Sequence, residues 1–103
     1  RKVVFVECRS DAVLVYHDLD GEEVERFSNR NLAENLDFIR LLDRYAVNDN
    51  RMVFLVRDDA RVTLIHAERV ASSRGVYNGK LPLIGHGDTD LSVFKETIEG
   101  AGG

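Results

Sequence analysis

Two short runs of this chain are apolar at every position, Val3 to Val6 and Met52 to Val56. Successive residues of a β-strand point to opposite faces of a sheet, so a run without polar residues predicts a strand that is covered on both faces. Both runs are far shorter than the roughly 20 residues that a membrane-spanning helix needs. We therefore expect the two runs to lie side by side at the centre of a sheet in a folded domain.

Turn residues and alternating patterns predict three further strands around this pair. Ala12 to His17 follows the first run after a short polar turn, which predicts a β-hairpin. Glu23 to Phe27 alternates polar and apolar residues, as a half-buried or edge strand does. Lys80 to Ile84 contains Pro82, which cannot donate to a ladder and therefore indicates an edge strand, and Asn78-Gly79 predicts a turn before it.

The residues before the second apolar run predict an amphipathic helix. Apolar residues recur there at helical spacing, with charged residues on the opposite side, at Leu32, Leu36, Ile39, Leu42 and Ala46. Asn31 is placed to cap this helix, with Glu34 three residues later as in a capping box. The polar run from Asn48 to Asn50 predicts the end of the helix.

Two structures fit the residues after the second apolar run. A helix ending at Gly75 as its C′ residue would bury one face, formed by Leu64, Ala67, Val70 and Ala71. That helix would leave Val62 and Ile65 pointing outward. A hairpin strand from Arg61 to His66 is the alternative, and a weak echo of residues 4–17 in residues 53–66 favours it. We favour the helix.

The composition restricts the class of protein. A chain of 103 residues with 44% hydrophobic and 31% charged residues is typical of one soluble α/β or α+β domain. The net charge of −4, with both signs interspersed, argues against a nucleic-acid partner. The sequence therefore predicts a single two-layer α+β domain over residues 1–90, in the order β-β-(β)-α-β-α-β, with a mixed sheet covered by helices. Residues 91–103 are predicted to form a short helix, Leu91 to Ile98, or a flexible tail.

Two resemblances follow from this order of elements. The strand Val4-Phe5-Val6-Glu7-Cys8 with Asp11 after it, and the later Phe54-Leu55-Val56-Arg57 followed by an aspartate, resemble a group of uncharacterised proteins of planctomycete bacteria. The strand that ends in aspartate before a helix closing on Gly75 is also similar to the periplasmic domain of the ExbD/TolR family of energy-transducing transport proteins. That second resemblance implies a small dimer-forming domain that contacts partner proteins or the cell wall, anchored through a membrane helix that would precede Arg1.

One group of candidate site residues follows the second apolar run. Arg57, Asp58 and Asp59 stand at the carboxyl end of a predicted central strand, where α/β sheets place ligands. With Arg61, they are the candidate ligand-binding residues: Arg57 and Arg61 would suit an anionic ligand, and the two aspartates could share a metal or act as acid and base. We favour the other interpretation, in which the charges serve the turn between strand and helix, with Asp59 as a cap of the helix.

A second group of candidates consists of residue types that ligate metals. His66 and the cluster His86, Asp88 and Asp90 offer imidazole and carboxylate groups, although their spacing matches no known metal motif. Cys8, the only cysteine, is predicted to be a buried thiol rather than a reactive one. The sequence predicts no cofactor.

Three functions remain compatible with these residues. The first is a noncatalytic protein-interaction or dimerisation module that docks through a sheet edge, either with itself or with another protein. Such a module would fit the extracytoplasmic part of a larger envelope protein. The second is a small metal-dependent hydrolase or metal-binding domain, and the third is a sensor of small molecules. We rank them in that order.

Overall fold

The computed structural model describes residues 2–18, 20, 22–47 and 49–83. The strands of this part of the chain are β1 (Val3–Cys8), β2 (Ala12–Tyr16), β3 (Val24–Ser28), β4 (Arg51–Val56) and β5 (Tyr77–Pro82). A short 3-10 helix, Leu32–Glu34, precedes the two α-helices, α1 (Leu36–Tyr45) and α2 (Arg61–Ser73). No helix within these residues is long and apolar enough to cross a lipid bilayer.

The strands form one mixed sheet in the order β3-β2-β1-β4-β5. Val6 in the central strand β1 lies opposite Val15 of the antiparallel β2 and opposite Phe54 of the parallel β4. The outer pairs follow the same pattern, because β3 runs antiparallel to β2 and β5 runs parallel to β4. The predicted α+β architecture is confirmed: the two apolar runs, in β1 and β4, pair inside the sheet, and the two predicted edge strands, β3 and β5, lie at its edges.

Both α-helices pack on the same face of the sheet, which we call the helix face. Alternate strand residues point into this layer, namely Val4, Val6, Cys8, Val13, Val15, Phe27, Met52 and Phe54. They meet the apolar stripes of the two helices, formed by Phe38, Leu41, Leu42, Leu64, Ala67, Val70 and Ala71. The Phe27 and Phe38 rings, with centroids 5.3 Å apart, attach α1 to β3. Burying a large apolar side chain stabilises a fold by roughly 1.5–3 kcal/mol, so this layer is the main core.

The first helix begins later than the sequence predicts, and the predicted capping box is wrong. Asn31 has a left-handed backbone (φ 55°) and makes no side-chain capping bond, whereas an N-cap residue needs an extended backbone. Asn35 has that conformation (φ −78°, ψ 105°), and its side chain accepts a hydrogen bond of 3.1 Å from the Phe38 N–H. The chain therefore makes a 3-10 turn first and caps α1 four residues after the predicted position.

The helical interpretation of the residues after β4 is confirmed. Helix α2 ends before Gly75, which has a left-handed backbone (φ 79°), as expected of a C′ residue. Val62 and Ile65 point outward as the helix requires, with 64% and 45% of their surface exposed. The echo between residues 4–17 and 53–66 does not reflect a structural repeat, because β1 is followed by a strand and β4 by a helix.

The turn predicted at Asn78-Gly79 is wrong. Both residues lie inside β5, opposite Met52 and Val53 of β4. The Asn78 side chain donates to the Val76 carbonyl (2.9 Å) and to Ser72 Oγ (3.1 Å), so its amide holds the start of the strand rather than a turn. Parallel pairing with β4 satisfies the backbone here and overrides the local turn propensity.

The opposite face of the sheet, which we call the far face, is also buried. It carries Phe5, Glu7, Leu14, Tyr16 and Leu55, and the exposed surface is 4% for Phe5 and 0% for both Glu7 and Leu55. Among the hydrophobic residues that the structure describes outside the strands, Leu83 alone packs against this cluster. The predicted segment from Leu91 to Ile98 lies outside the described residues.

Candidate functional site

The residues predicted to form a ligand site at the end of β4 point in different directions. Arg57 is buried on the far face, whereas Asp58 and Asp59 are exposed in the turn that follows. The Ala60 N–H closes this turn on the Arg57 carbonyl (3.0 Å), and α2 starts directly after it. The N-cap of α2 is Ala60, whose methyl group cannot accept a hydrogen bond, and no side chain caps this helix. The expectation that Asp59 caps it is therefore wrong.

The side chain of Arg57 reaches the carboxylate of Glu7 on the neighbouring strand. Its Nε–H donates to Glu7 Oε2 over 3.3 Å. Arg9 Nε–H donates to the same carboxylate oxygen, and the Tyr16 hydroxyl donates to Glu7 Oε1 over 2.8 Å. We call these four residues the Glu7 cluster; they join β1, β2 and β4 on the far face.

The sheet register brings the Glu7 cluster together. Cys8 lies opposite Val56 in the parallel pair of β1 and β4. Glu7 and Arg57 therefore lie at the same end of these neighbouring strands, and their side chains point to the same face of the sheet. The sequence patterns identified Glu7 only as part of the first strand and did not predict the cluster. The available signal was a single carboxylate inside an otherwise apolar central strand, since a buried charge requires charged or hydrogen-bonding partners.

Burial and the neighbouring carboxylates disfavour the ionised form of the Cys8 thiol. Burial raises the pKa of Cys8 to about 12, and the nearby carboxylates of Glu7 and Glu68 act in the same direction. The thiolate is the nucleophilic form of cysteine, so Cys8 stays a neutral thiol near pH 7. The prediction of a buried, unreactive Cys8 is confirmed. The hydrogen bond to Glu7 also raises the pKa of Arg9 above its ordinary value, which keeps the ion pair charged.

The remaining candidates lie apart from the Glu7 cluster. Arg61 and His66 are exposed residues of α2. His86, Asp88 and Asp90 lie outside the described residues. Within the described ranges, no three histidine, cysteine or acidic side chains come together as a metal site would require. Ligand binding at Arg57 and Arg61 and metal binding at the histidines stay predictions.

The outer edge of β3 is the second feature with functional potential. Asn29 N–H donates to the Asp11 carbonyl, and His17 N–H donates to the Glu23 carbonyl, both over 2.9 Å. Backbone groups alternate sides along a strand, so the odd-numbered residues of this strand bond to β2. The N–H and C=O groups of Val24, Arg26 and Ser28 therefore point away from the sheet.

The outer edge of β5 differs at one decisive position. Leu83 N–H donates to the Val56 carbonyl over 2.8 Å, so the odd-numbered residues of this strand face β4. Asn78, Lys80 and Pro82 face outward, and proline has no N–H to donate. Lysine and proline are residues that discourage strand addition at a sheet edge. The edge of β3 is therefore the more open of the two.

A shallow groove separates the end of α2 from the start of β5. Its lining residues are Ser72, Gly75, Val76, Tyr77 and Asn78. None of the described residues that line the groove carries a carboxylate, an imidazole or a thiol.

Comparison of this chain with protein-family models, with curated proteins and with solved structures returns no match.

Proposed function

We propose that this chain is a noncatalytic dimerisation module that pairs with a second copy of itself along the outer edge of β3. The observation that carries the proposal is the row of outward backbone groups at Val24, Arg26 and Ser28. Such an edge accepts another strand through main-chain hydrogen bonds. The opposite edge of the sheet is partly closed by Pro82.

The residues of β3 are compatible with pairing to an identical strand in one antiparallel register. With Phe27 opposite Phe27 of the second copy, Arg26 faces Ser28 and Glu25 faces Asn29. Aromatic cross-strand pairs stabilise a sheet, whereas like charges placed opposite each other destabilise it. A register centred on Arg26 would oppose two arginines, and one centred on Glu25 would oppose two glutamates. The Phe27 register avoids both and places the helices of the two copies on the same side of one continuous sheet.

The Glu7 cluster supports a noncatalytic role. Its carboxylate already accepts hydrogen bonds from Arg9, Tyr16 and Arg57, which is the arrangement of a structural ion cluster rather than of a general base awaiting a substrate. The resemblance to the ExbD/TolR periplasmic domain supports the further proposal that the module belongs to a larger envelope protein.

Light scattering coupled to size exclusion tests the proposal on the full chain. We expect the native chain to run as a dimer and the Arg26→Pro variant to run as a monomer with an unchanged circular dichroism spectrum. Proline at this position removes one outward N–H and leaves the ladder to β2 intact, because the Arg26 N–H does not bond to β2.

Two control variants distinguish the effect of the β3 backbone edge from the effect of the Arg26 side chain. Arg26→Ala removes the exposed ion pair with Asp11 (3.0 Å) but keeps the backbone N–H, so it should remain dimeric. Lys80→Pro places the same change on the outer edge of β5 and should also remain dimeric. A native chain that stays monomeric at high concentration contradicts the proposal, as does a dimer that survives Arg26→Pro.

A further inference from the structure

Charge is distributed unevenly along β3. The residues that lead into the strand and begin it form its acidic end, with carboxylates on Asp18, Asp20, Glu22, Glu23 and Glu25. The basic end consists of Arg26 and Arg30, and the charge of Arg26 is partly offset by its ion pair with Asp11 (3.0 Å). Among the ion pairs of the described residues, none involves Glu22, Glu23 or Arg30. These three exposed charges are therefore open to a partner from another chain.

Local hydrogen bonds fix the backbone at both ends of the strand. The Asp18 carboxylate accepts hydrogen bonds from the N–H groups of Glu22 (3.0 Å) and Glu23 (3.1 Å). At the other end, the Ser28 hydroxyl accepts one from the Arg30 N–H (3.2 Å). The opposite charges thus extend from defined positions beyond the two ends of the outer edge.

We propose that this polarity determines how two copies of the chain recognise each other: the acidic end of one β3 pairs with the basic end of the other. The inference rests on the dimer proposed above. In the register centred on Phe27, Val24 of one copy lies opposite Arg30 of the other. Glu22 of the first copy is then a diagonal neighbour of that arginine, about 7–8 Å away and within reach of long side chains. The two-fold symmetry of the dimer forms this contact twice.

The same polarity disfavours the parallel orientation. Parallel strands would bring the two acidic ends side by side, within the distance of about 8 Å over which charges interact at physiological ionic strength. In the antiparallel register, Glu23 lies four residues from Phe27 in each copy, so the two acidic ends are about 27 Å apart at the usual rise per residue. Their repulsion is then largely screened. The charges thus select the antiparallel dimer.

Charge reversal in the full-length chain tests the proposal. We expect Arg30→Glu, and separately the double variant Glu22→Lys with Glu23→Lys, to raise the dissociation constant of the homodimer at least about tenfold in sedimentation equilibrium. An equimolar mixture of the two variants should form heterodimers about as tight as the native dimer, detected by native mass spectrometry. Each chain in the mixture then supplies the charge that the other lacks. Arg69→Glu, an equal change of charge on the exposed side of α2, is the matched control and should dimerise as the native chain does.

The outcomes separate this inference from the dimer itself. A native chain that stays monomeric removes the dimer and this inference together. A native dimer that Arg30→Glu does not weaken, or that Arg69→Glu weakens equally, overturns the inference and leaves the dimer standing. Failure of the mixed variants to form heterodimers also overturns it, because complementary charges would then not direct the pairing.

Discussion

Glu7 is a fully buried carboxylate near the end of the central strand β1, and its hydrogen-bonding partners explain why the fold tolerates it. Removing one member of a buried ion pair typically costs 3–5 kcal/mol. We therefore expect Glu7→Ala to lower the free energy of unfolding by about that amount in urea denaturation. Asp11→Asn, which weakens the exposed pair with Arg26, should cost less than about 1 kcal/mol. Similar losses in the two variants would show that the Glu7 cluster does not stabilise the sheet.

Cys8 offers a second prediction at the scale of one residue. Because the native pKa is raised to about 12 from an ordinary value of 9.0, the thiol should resist alkylation by iodoacetamide at pH 8 and react rapidly once urea unfolds the chain. Rapid modification of the folded protein would contradict the burial of this residue.

The raised pKa of Cys8 makes the stability of the protein depend on pH. Between about pH 9 and pH 12 the unfolded chain loses the thiol proton while the native chain keeps it. The contribution of Cys8 is therefore complete below pH 9 and declines as the pH rises through that window. Cys8→Ala should show a shallower loss of stability above pH 9 than the native chain, measured by urea denaturation at each pH.

At the scale of elements, Asn35 is the residue that starts α1. Its side chain holds the Phe38 N–H, so Asn35→Ala should lower the free energy of unfolding by about 1 kcal/mol. Asn31→Gly is the matched control, because glycine readily adopts the left-handed backbone of Asn31 and no side-chain cap is lost there. A larger effect at Asn31 than at Asn35 would restore the predicted capping box.

Gly75 ends α2 through its backbone conformation alone. An added Cβ would meet no atom within 4 Å, yet φ is +79°, so Gly75→Ala should cost about 1 kcal/mol for the left-handed conformation. Gly79 is equally open but has no such backbone, so Gly79→Ala should be close to neutral. Thermal denaturation of the two variants, compared with the native chain, distinguishes a conformational cost from a packing cost.

The elements that the sequence predicted correctly are those with strong and continuous patterns. The apolar run before Arg57 and the stripe that includes Leu64 and Val70 specify a central strand and a helix through burial, and burial dominates folding energetics. Local signals were less reliable, because Asn31 and Asn78 are common in caps and turns, and tertiary pairing decided how each is used. The Glu7 cluster depends on the register between β1 and β4, which no local pattern contains.

At the scale of the whole molecule, the proposed self-association would link stability to protein concentration. If the second copy binds the native β3 edge and not the unfolded chain, mass action makes the melting temperature rise with protein concentration. We expect this rise in the native chain and its absence in Arg26→Pro, both measured by calorimetry over a hundredfold range of concentration. A melting temperature that does not depend on concentration in the native chain would contradict the dimer.

The missing N–H of Pro82 has a consequence for what such molecules can build. If the outer edges of both β3 and β5 accepted strands, each copy could pair with two others, and the copies could grow into a fibre. If copies pair through β3 as proposed and Pro82 obstructs the edge of β5, growth would stop after the first pairing and the product would be a closed two-fold dimer. Pro82 alone would thus decide between a dimer and an open-ended polymer.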